Sequence, residues 1–366
     1  MPMTFIIDAH EDLAYNALTF GRDYTRSAAE TRTYEADTEV PARAGQTLLG
    51  WPDYQRGQVA LVFGTLFLSP RRHQGGPWDT QAYQDAGEAA LLYRRQFDYY
   101  HRLVGDHPNQ FSLVRSRQEL SWVLAPWMQS AAELPEKTHP VGILLSMEGA
   151  EGLGRPEELE TYWQMGLRAV GPVWAGTRYC GGMHEPGGFS REGYHLLEVM
   201  GSLGYILDLA HMNNQSILQA LDAYSGTVIA SHANARALLK DSTGERHLTD
   251  TAIRRLAERG GVIGILPFNR FLRPGWTEND DRRLVTLETV VAHIDHICQV
   301  TGSADHVALG TDFDGGFGWP AVPLEINTIA DLPGLETVLR QHGYEDQAIS
   351  SILHGNWQGI LERTLP

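Results

Sequence analysis

The sequence predicts an α/β chain wound into a (β/α)8 barrel, a TIM barrel, with all 366 residues in one domain. Three observations point there. Eight short apolar runs rich in β-branched residues are spaced along the chain, segments of helical period lie between them, and no GxGxxG follows the first run. Runs that are apolar throughout fit parallel strands covered on both faces. A doubly wound open sheet would usually hold fewer strands and would carry the glycine fingerprint after the first one.

In order, the runs are residues 4–9, 59–68, 141–147, 168–174, 205–210, 227–231, 261–268 and 306–310. Helical periodicity covers 80–105, 191–203, 214–224, 249–259 and 284–301. Residues 16–58 are polar and read as loop and helix decoration after the first strand; 69–135 is a second decorated stretch, opening on the loop SPRRHQGGPW. The segment 179–188, YCGGMHEPGG, is predicted to be a mobile loop because it is rich in glycine. No internal repeat, low-complexity tract or linker interrupts the pattern.

Composition narrows the function. With 42% hydrophobic and 20% charged residues the chain can bury a large core. Lys and Arg number 29 against 45 Asp and Glu, a net charge of −16, which argues against nucleic acid or an anionic membrane as partner. The start MPMTFIIDAHEDL lacks a basic segment followed by a long apolar one, and no run reaches the roughly 18 apolar residues of a membrane helix. The expectation is a soluble cytoplasmic protein. Cys180 and Cys298 are the only cysteines, so any transition metal would be held by histidine and carboxylate.

Working residues in such a barrel sit where strands end and their following loops begin. FIIDAHED places His10 and Asp12 just past the first strand, two apart in extended chain and so on one face. SMEG offers Glu148 after the third strand, LDLAH offers His211 after the fifth, VIASH offers His232 after the sixth, and ALGTDFDG offers Asp312 and Asp314 after the eighth. A lone His or Asp at such a place is ordinarily a cap or turn residue. Coincidence at five of eight strand ends is what singles these residues out.

Other histidines stand outside the pattern. His293 and His296 lie three apart on a helix, a spacing usually found on a solvated or half-buried face, and His139 and His306 precede strands, at the far end of the barrel. His184 and His195 lie in or after the glycine-rich loop, where His184 is a candidate for substrate contact. No HExxH, cysteine knuckle or GxSxG elbow occurs. Mixed His and carboxylate donors suit Zn, or else Mn or Fe, better than Ca or Mg. Three His, one Asp and one Glu exceed the need of one catalytic zinc, so two ions fit better: His10 and Asp12 on one, His211 and His232 on the other, with Glu148 bridging.

Taken together, His10-x-Asp12, Glu148-Gly149, LDLAH, SHANA and GTDFDG resemble the membrane dipeptidase (renal dipeptidase) family of the amidohydrolase superfamily, in order and spacing from residue 6 to about 363. The resemblance implies a metal-dependent hydrolase barrel with two zinc ions bridged by Glu148 and a water or hydroxide. It implies hydrolysis of dipeptides, in some members with a D-residue on the C-terminal side or of β-lactams, and a homodimer. Arg246 in GERHLTD resembles the family arginine that receives the substrate carboxylate, a match of planar two-pronged donor to planar acceptor. Asp312 stands at the position that moves protons and meets the substrate amine; Asp314 is the alternative, since extended chain would turn both to one side.

One departure is plain. Renal-type enzymes carry a histidine after the fourth strand that contacts the substrate carbonyl, whereas GPVWAGTRYCGG places Trp174 there. Indole donates one hydrogen bond and cannot be a cation, so the oxyanion would be held by a metal, by Trp174, or by Arg178 or His184. The leading function is a zinc dipeptidase. Alternatives are another two-metal amidohydrolase acting on lactams, lactones or N-acyl amino acids, and a catalytically silent barrel that binds a small ligand.

Overall fold

All eight predicted runs form strands: β1 (Ile6–Glu11), β2 (Val59–Phe67), β3 (Val141–Glu148), β4 (Leu167–Gly171), β5 (Ile206–Asp208), β6 (Val228–Ile229), β7 (Ile263–Ile265) and β8 (Val307–Leu309). The computed structural model describes residues 5–128, 138–239 and 244–366. Residue 4 of the first predicted run and residues 129–135 of the second decorated stretch lie outside these.

Every pairing around the sheet is parallel, in the order β7-β8-β1-β2-β3-β4-β5-β6. A parallel bridge between Ala230 and Ile263 brings the two ends together, so the sheet is a near-closed barrel of TIM type. A ninth strand, Phe111–Leu113, pairs with the first half of β3 below the point where β4 joins it. Three residues, FSL, were too few to show as a run in the sequence. Apart from the half-buried Phe67 at the end of β2, the barrel strands are buried along their whole length, as parallel strands covered by helices must be.

The helices follow their caps. Ser190 accepts from the Gly193 amide to open Arg191–Leu203, and Thr249 accepts from Ala252 to open Asp250–Glu258. Two predicted helix starts were early. Ala82–Tyr83 pairs with Ser69–Pro70 as a short parallel strand, and the long helix begins only at Ala86, where Asp85 caps the Glu88 amide. Likewise Arg282–Leu284 is a single 3-10 turn before Leu287–Thr301. The 16–58 stretch carries helices Ala28–Glu35, Val40–Ala44 and Trp51–Arg56, preceded by Leu13–Phe20 directly after β1.

The glycine-rich segment 179–188 is hydrogen-bonded across itself rather than open. Bridges join Gly176 to Gly181 and Gly182 to Met212, and a Cβ on Gly181 would stand 2.0 Å from the Gly187 nitrogen. Its glycines serve close backbone approach here, a use the sequence does not separate from freedom of movement.

Candidate active site

The ends of β1, β3, β5, β6 and β8 deliver their polar side chains to one place. His10 is still in β1, while Asp12 sits at the N-terminus of helix Leu13–Phe20 without capping it, which leaves its carboxylate turned inward. From His10 Nε2 it is 3.2 Å to Glu148 Oε2, 3.7 Å to Asp312 Oδ1 and 3.8 Å to Asp12 Oδ1. His211 Nε2 lies 3.4 Å from Glu148 Oε1, and His232 Nε2 lies 3.6 Å from Glu148 Oε2 and 2.8 Å from His211 Nε2. Glu148 thus meets His10 and His232 through Oε2 and His211 through Oε1, with the His10 and His232 rings 3.7 Å apart between centroids. His211 and Asp312 hold left-handed backbone, φ 65° and 55°, a conformation that non-glycine residues adopt at a cost and that aims both side chains inward.

A second layer fixes the rings. Ser231 Oγ donates to Asp208, so the same hydroxyl accepts the Nδ1 proton of His232 at 2.7 Å, and the His232 Nε2 lone pair faces the centre. Asp208 is itself held by the Ser231 and Ala210 amides, at 2.8 and 3.0 Å. Thr65 Oγ1 lies 3.4 Å from His10 Nδ1, and Met183 Sδ lies 3.2 Å from His211 Nδ1. None of these four partners carried a sequence signal of its own except Asp208, which stands three residues before His211 in LDLAH.

What the arrangement lacks is as informative as what it has. Among the described residues His10 Nε2, Asp12 Oδ1 and Glu148 Oε2 are buried without a hydrogen-bond partner, and buried polar atoms rarely stay so. Burial and mutual repulsion raise all three carboxyls: Asp12 to about 7, with Asp314 adding to the burial, and Glu148 and Asp312 well above the ordinary carboxylate range, each with Asp12 as the largest charge acting on it. Burial lowers the three histidines, His10 to about 3 with Arg246 contributing, so their rings are neutral. Neutral imidazoles and crowded carboxylates without enough counter-charge are a donor set for cations. The separations agree: ligands about 2.1 Å from an ion at tetrahedral corners stand roughly 3.4 Å apart. Two triplets have all their donor atoms within 4.8 Å of one another, His10, His232 and Asp312, and Glu148, His211 and His232.

Above the centre opens a cavity of about 200 Å³ that Asp12, Glu148, Trp174, His211, Arg246 and Asp312 all reach. Arg246 is buried with none of its three guanidinium nitrogens hydrogen-bonded among the described residues, its carbon 5.6 Å from the centroid of the Phe271 ring. Trp174 lies three residues beyond the end of β4 and forms a wall of the cavity. Asp314 goes elsewhere. The reading that Asp312 and Asp314 face one side assumed extended chain, but both have positive φ, and Asp314 turns into a separate buried network with Arg22, Tyr24, Thr47 and the Leu48 amide.

Two other candidates fall away from the centre. Arg178 is held by Glu151, Glu192 and the Leu153 carbonyl and lines a different cavity. The His184 ring packs edge-on to Trp174, 5.1 Å between centroids, and stacks on His73. Of the remaining histidines, His293 accepts the Ala235 amide, His296 pairs with Asp250, His306 bonds the Gly261 carbonyl and His195 meets Glu157 at the surface.

Comparison with known proteins shows the family. A family model described as membrane dipeptidase, peptidase family M19, matches residues 1–364. An uncharacterized dipeptidase of Schizosaccharomyces pombe is 31% identical over 98% of this chain and 80% of its own. A dipeptidase of Aspergillus terreus, ataJ, is 27% identical over 84% of this chain and 75% of its own. The crystal structure of dipeptidase AC, a metallo peptidase of family M19, superposes with a TM-score of 0.78 at 24% identity, covering 99% of both chains. A metallo peptidase from Rhodobacter sphaeroides, liganded with a phosphinate mimic of L-Ala-D-Ala, does so with 0.78 at 24% identity, over 98% of this chain and 99% of that one.

Proposed function

The chain belongs to the membrane dipeptidase family, peptidase family M19, a metallo-dipeptidase by that membership, and from this premise we propose that it cleaves dipeptides, L,D-dipeptides among them, over two zinc ions. His10 and Asp12 would hold one ion, His211 and His232 the other, and Glu148 both. The observation that carries the reading is the group of unpartnered buried donors, His10 Nε2, Asp12 Oδ1 and Glu148 Oε2, brought together from separate strands. The chemistry that bound cations would supply there is a lowered pKa for a bound water and polarisation of the scissile carbonyl.

The chain's own residues supply the rest. Arg246 pairs with the substrate's terminal carboxylate through its free nitrogens, an interaction strengthened by burial. Asp312 takes the proton of the attacking water and returns it to the departing amine, a role suited to a carboxyl whose surroundings raise its proton affinity. Trp174 closes one side of the cavity and keeps water from it. The silent-barrel alternative leaves the unpartnered donors and the free buried guanidinium without a purpose.

A cytoplasmic location and a homodimer belong to the same proposal. No helix among the described residues is long and apolar enough to cross a membrane, and both cysteines are free thiols. The test is a panel of L,L- and L,D-dipeptides against N-acyl amino acids, lactams and lactones, before and after chelation. Release of free amino acids from dipeptides, lost on chelation and restored by zinc, is expected. Turnover confined to the other substrates, or unaffected by chelation, contradicts the reading.

A further inference from the structure

The cavity has two facing walls made of aromatic rings. On one, Tyr15, Phe67 and Trp174 come from after β1, the end of β2 and after β4, with Phe67 5.3 Å from Tyr15 and 5.3 Å from Trp174 between ring centroids. On the other, Phe268, Phe271 and Phe317 come from after β7 and β8; Phe268 stacks on Phe317 at 4.1 Å and meets Phe271 edge-on at 5.0 Å. Phe67, Trp174, Phe268 and Phe271 are only half-buried, so part of each ring still faces open space. Asp79 acts on the Tyr15 hydroxyl, and Tyr15 lines this wall.

Every charged side chain that lines the cavity, Asp12, Glu148, Asp312 and Arg246, already has a part in the proposed reaction. Among the described residues that line it, nothing else could pair with a charged substrate side chain, and burying an unpaired charge is costly. Aromatic faces can attract cations, but Arg246 already stands over Phe271 and would repel a second one.

We propose that this pocket selects dipeptides with apolar side chains at both positions, an inference that rests on the dipeptidase reading and deepens it. Arg246 beside Phe271 anchors the carboxylate, which sets the C-terminal side chain against Phe268, Phe271 and Phe317. The N-terminal residue then lies across the centre, its side chain against Tyr15, Phe67 and Trp174. Filling each wall is worth at least roughly 10-fold in kcat/KM, the low end of what a single methylene can contribute.

The experiment compares Gly-Gly, Gly-Leu, Leu-Gly, Leu-Leu, Lys-Leu, Glu-Leu, Leu-Lys and Leu-Glu on the zinc-loaded full chain. Expected is a rise in kcat/KM of about 10²-fold or more from Gly-Gly to Leu-Leu, and a loss of similar size with a charge at either position. Phe268→Ala should narrow the Gly-Leu to Gly-Gly ratio, and Phe67→Ala the Leu-Gly to Gly-Gly ratio. Ratios taken on one preparation do not depend on the fraction folded, and Phe317→Ala gives a second reading of the C-terminal wall. Charged dipeptides turned over as fast as Leu-Leu, or ratios unmoved by the wall variants, overturn the selection while leaving the dipeptidase reading in place. No amino acid released from any of the eight, nor from L-Leu-D-Leu, overturns both.

Discussion

Asp312 and Asp314 stand two residues apart in GTDFDG, yet their surroundings are opposites. Around Asp314 the polar groups are matched: Arg22 lies 3.0 Å away, Tyr24 OH donates at 3.1 Å and the Leu48 amide at 2.8 Å, and Arg22 is shared with Glu35. Around Asp312 they are not: His10 Nε2, Asp12 Oδ1, Glu148 Oε2 and all of Arg246's guanidinium nitrogens lack a hydrogen-bond partner among the described residues. A matched network stabilises the fold, whereas an unmatched one costs stability until something binds. The difference separates a residue that holds the loop after β8 from the one proposed to meet the substrate.

Removing each carboxylate in turn should separate the two roles. Asp312→Asn is expected to cut kcat by about 10³-fold or more while leaving the melting temperature and metal content near those of the parent. Asp314→Ala leaves Arg22 without one of its buried partners and is expected to cost about 3–5 kcal/mol of stability, read by denaturant unfolding. If Asp314→Ala instead spared stability and removed turnover, the two roles would be reversed.

Arg246→Met tests the unmatched side next. Loss of a two-pronged pairing to the substrate carboxylate should lower kcat/KM by roughly 10²- to 10³-fold, with stability held or improved because a buried charge without a partner is removed. A fall in stability with kcat/KM preserved would make Arg246 a structural residue.

Gly315 sharpens the comparison from the backbone. A Cβ there would lie 1.9 Å from Asp312 Oδ1, so any side chain must push the carboxylate aside. Gly315→Ala is expected to cost up to about 10²-fold in kcat, the scale of a misplacement near 1 Å, with little change in KM. An unchanged kcat would show that the position of Asp312 is not what the reaction needs.

The smallest effect is in pH. Loading the centre with cations requires ionised carboxylates, and in the metal-free chain Asp12 is raised from 3.8 to about 7, so protons must leave as ions enter. The histidines are already neutral and add no proton release. The zinc-induced rise in melting temperature should therefore be small at pH 5.5 and grow through pH 7 to pH 8. In the chelated chain the two classes oppose each other. Ionising Asp12 costs stability as pH rises from 3.8 towards 7, and keeping His10 neutral costs stability as pH falls from 6.5 towards 3, so only the difference between loaded and chelated protein is diagnostic.

Much of this was legible in the sequence. The eight strands showed because a parallel strand buried on both faces must be apolar throughout, as VALVFGTLF is. His10, Asp12, Glu148, His211 and His232 showed because the barrel brings strand ends together wherever they lie in the chain. What stayed hidden depends on contacts between distant segments or on backbone angles. Thr65 beside His10 and Met183 beside His211 are ordinary residues in their local context, and the aromatic walls join Tyr15 and Phe67 to Trp174 across more than a hundred residues. The separation of Asp312 from Asp314 rests on two left-handed residues that a period-two reading takes as extended. The ninth strand and the short strand at Ala82–Tyr83 exist only through their partners.

The central claim is that five strand ends build a cradle for two cations with Glu148 between them. Anomalous diffraction at the zinc edge from crystals of the zinc-loaded chain tests it most directly. The account predicts two peaks flanking the Glu148 carboxylate, one against His10 and Asp12 and the other against His211 and His232. A single peak that leaves His10 and Asp12 bare, or zinc bound only away from Glu148, would contradict it.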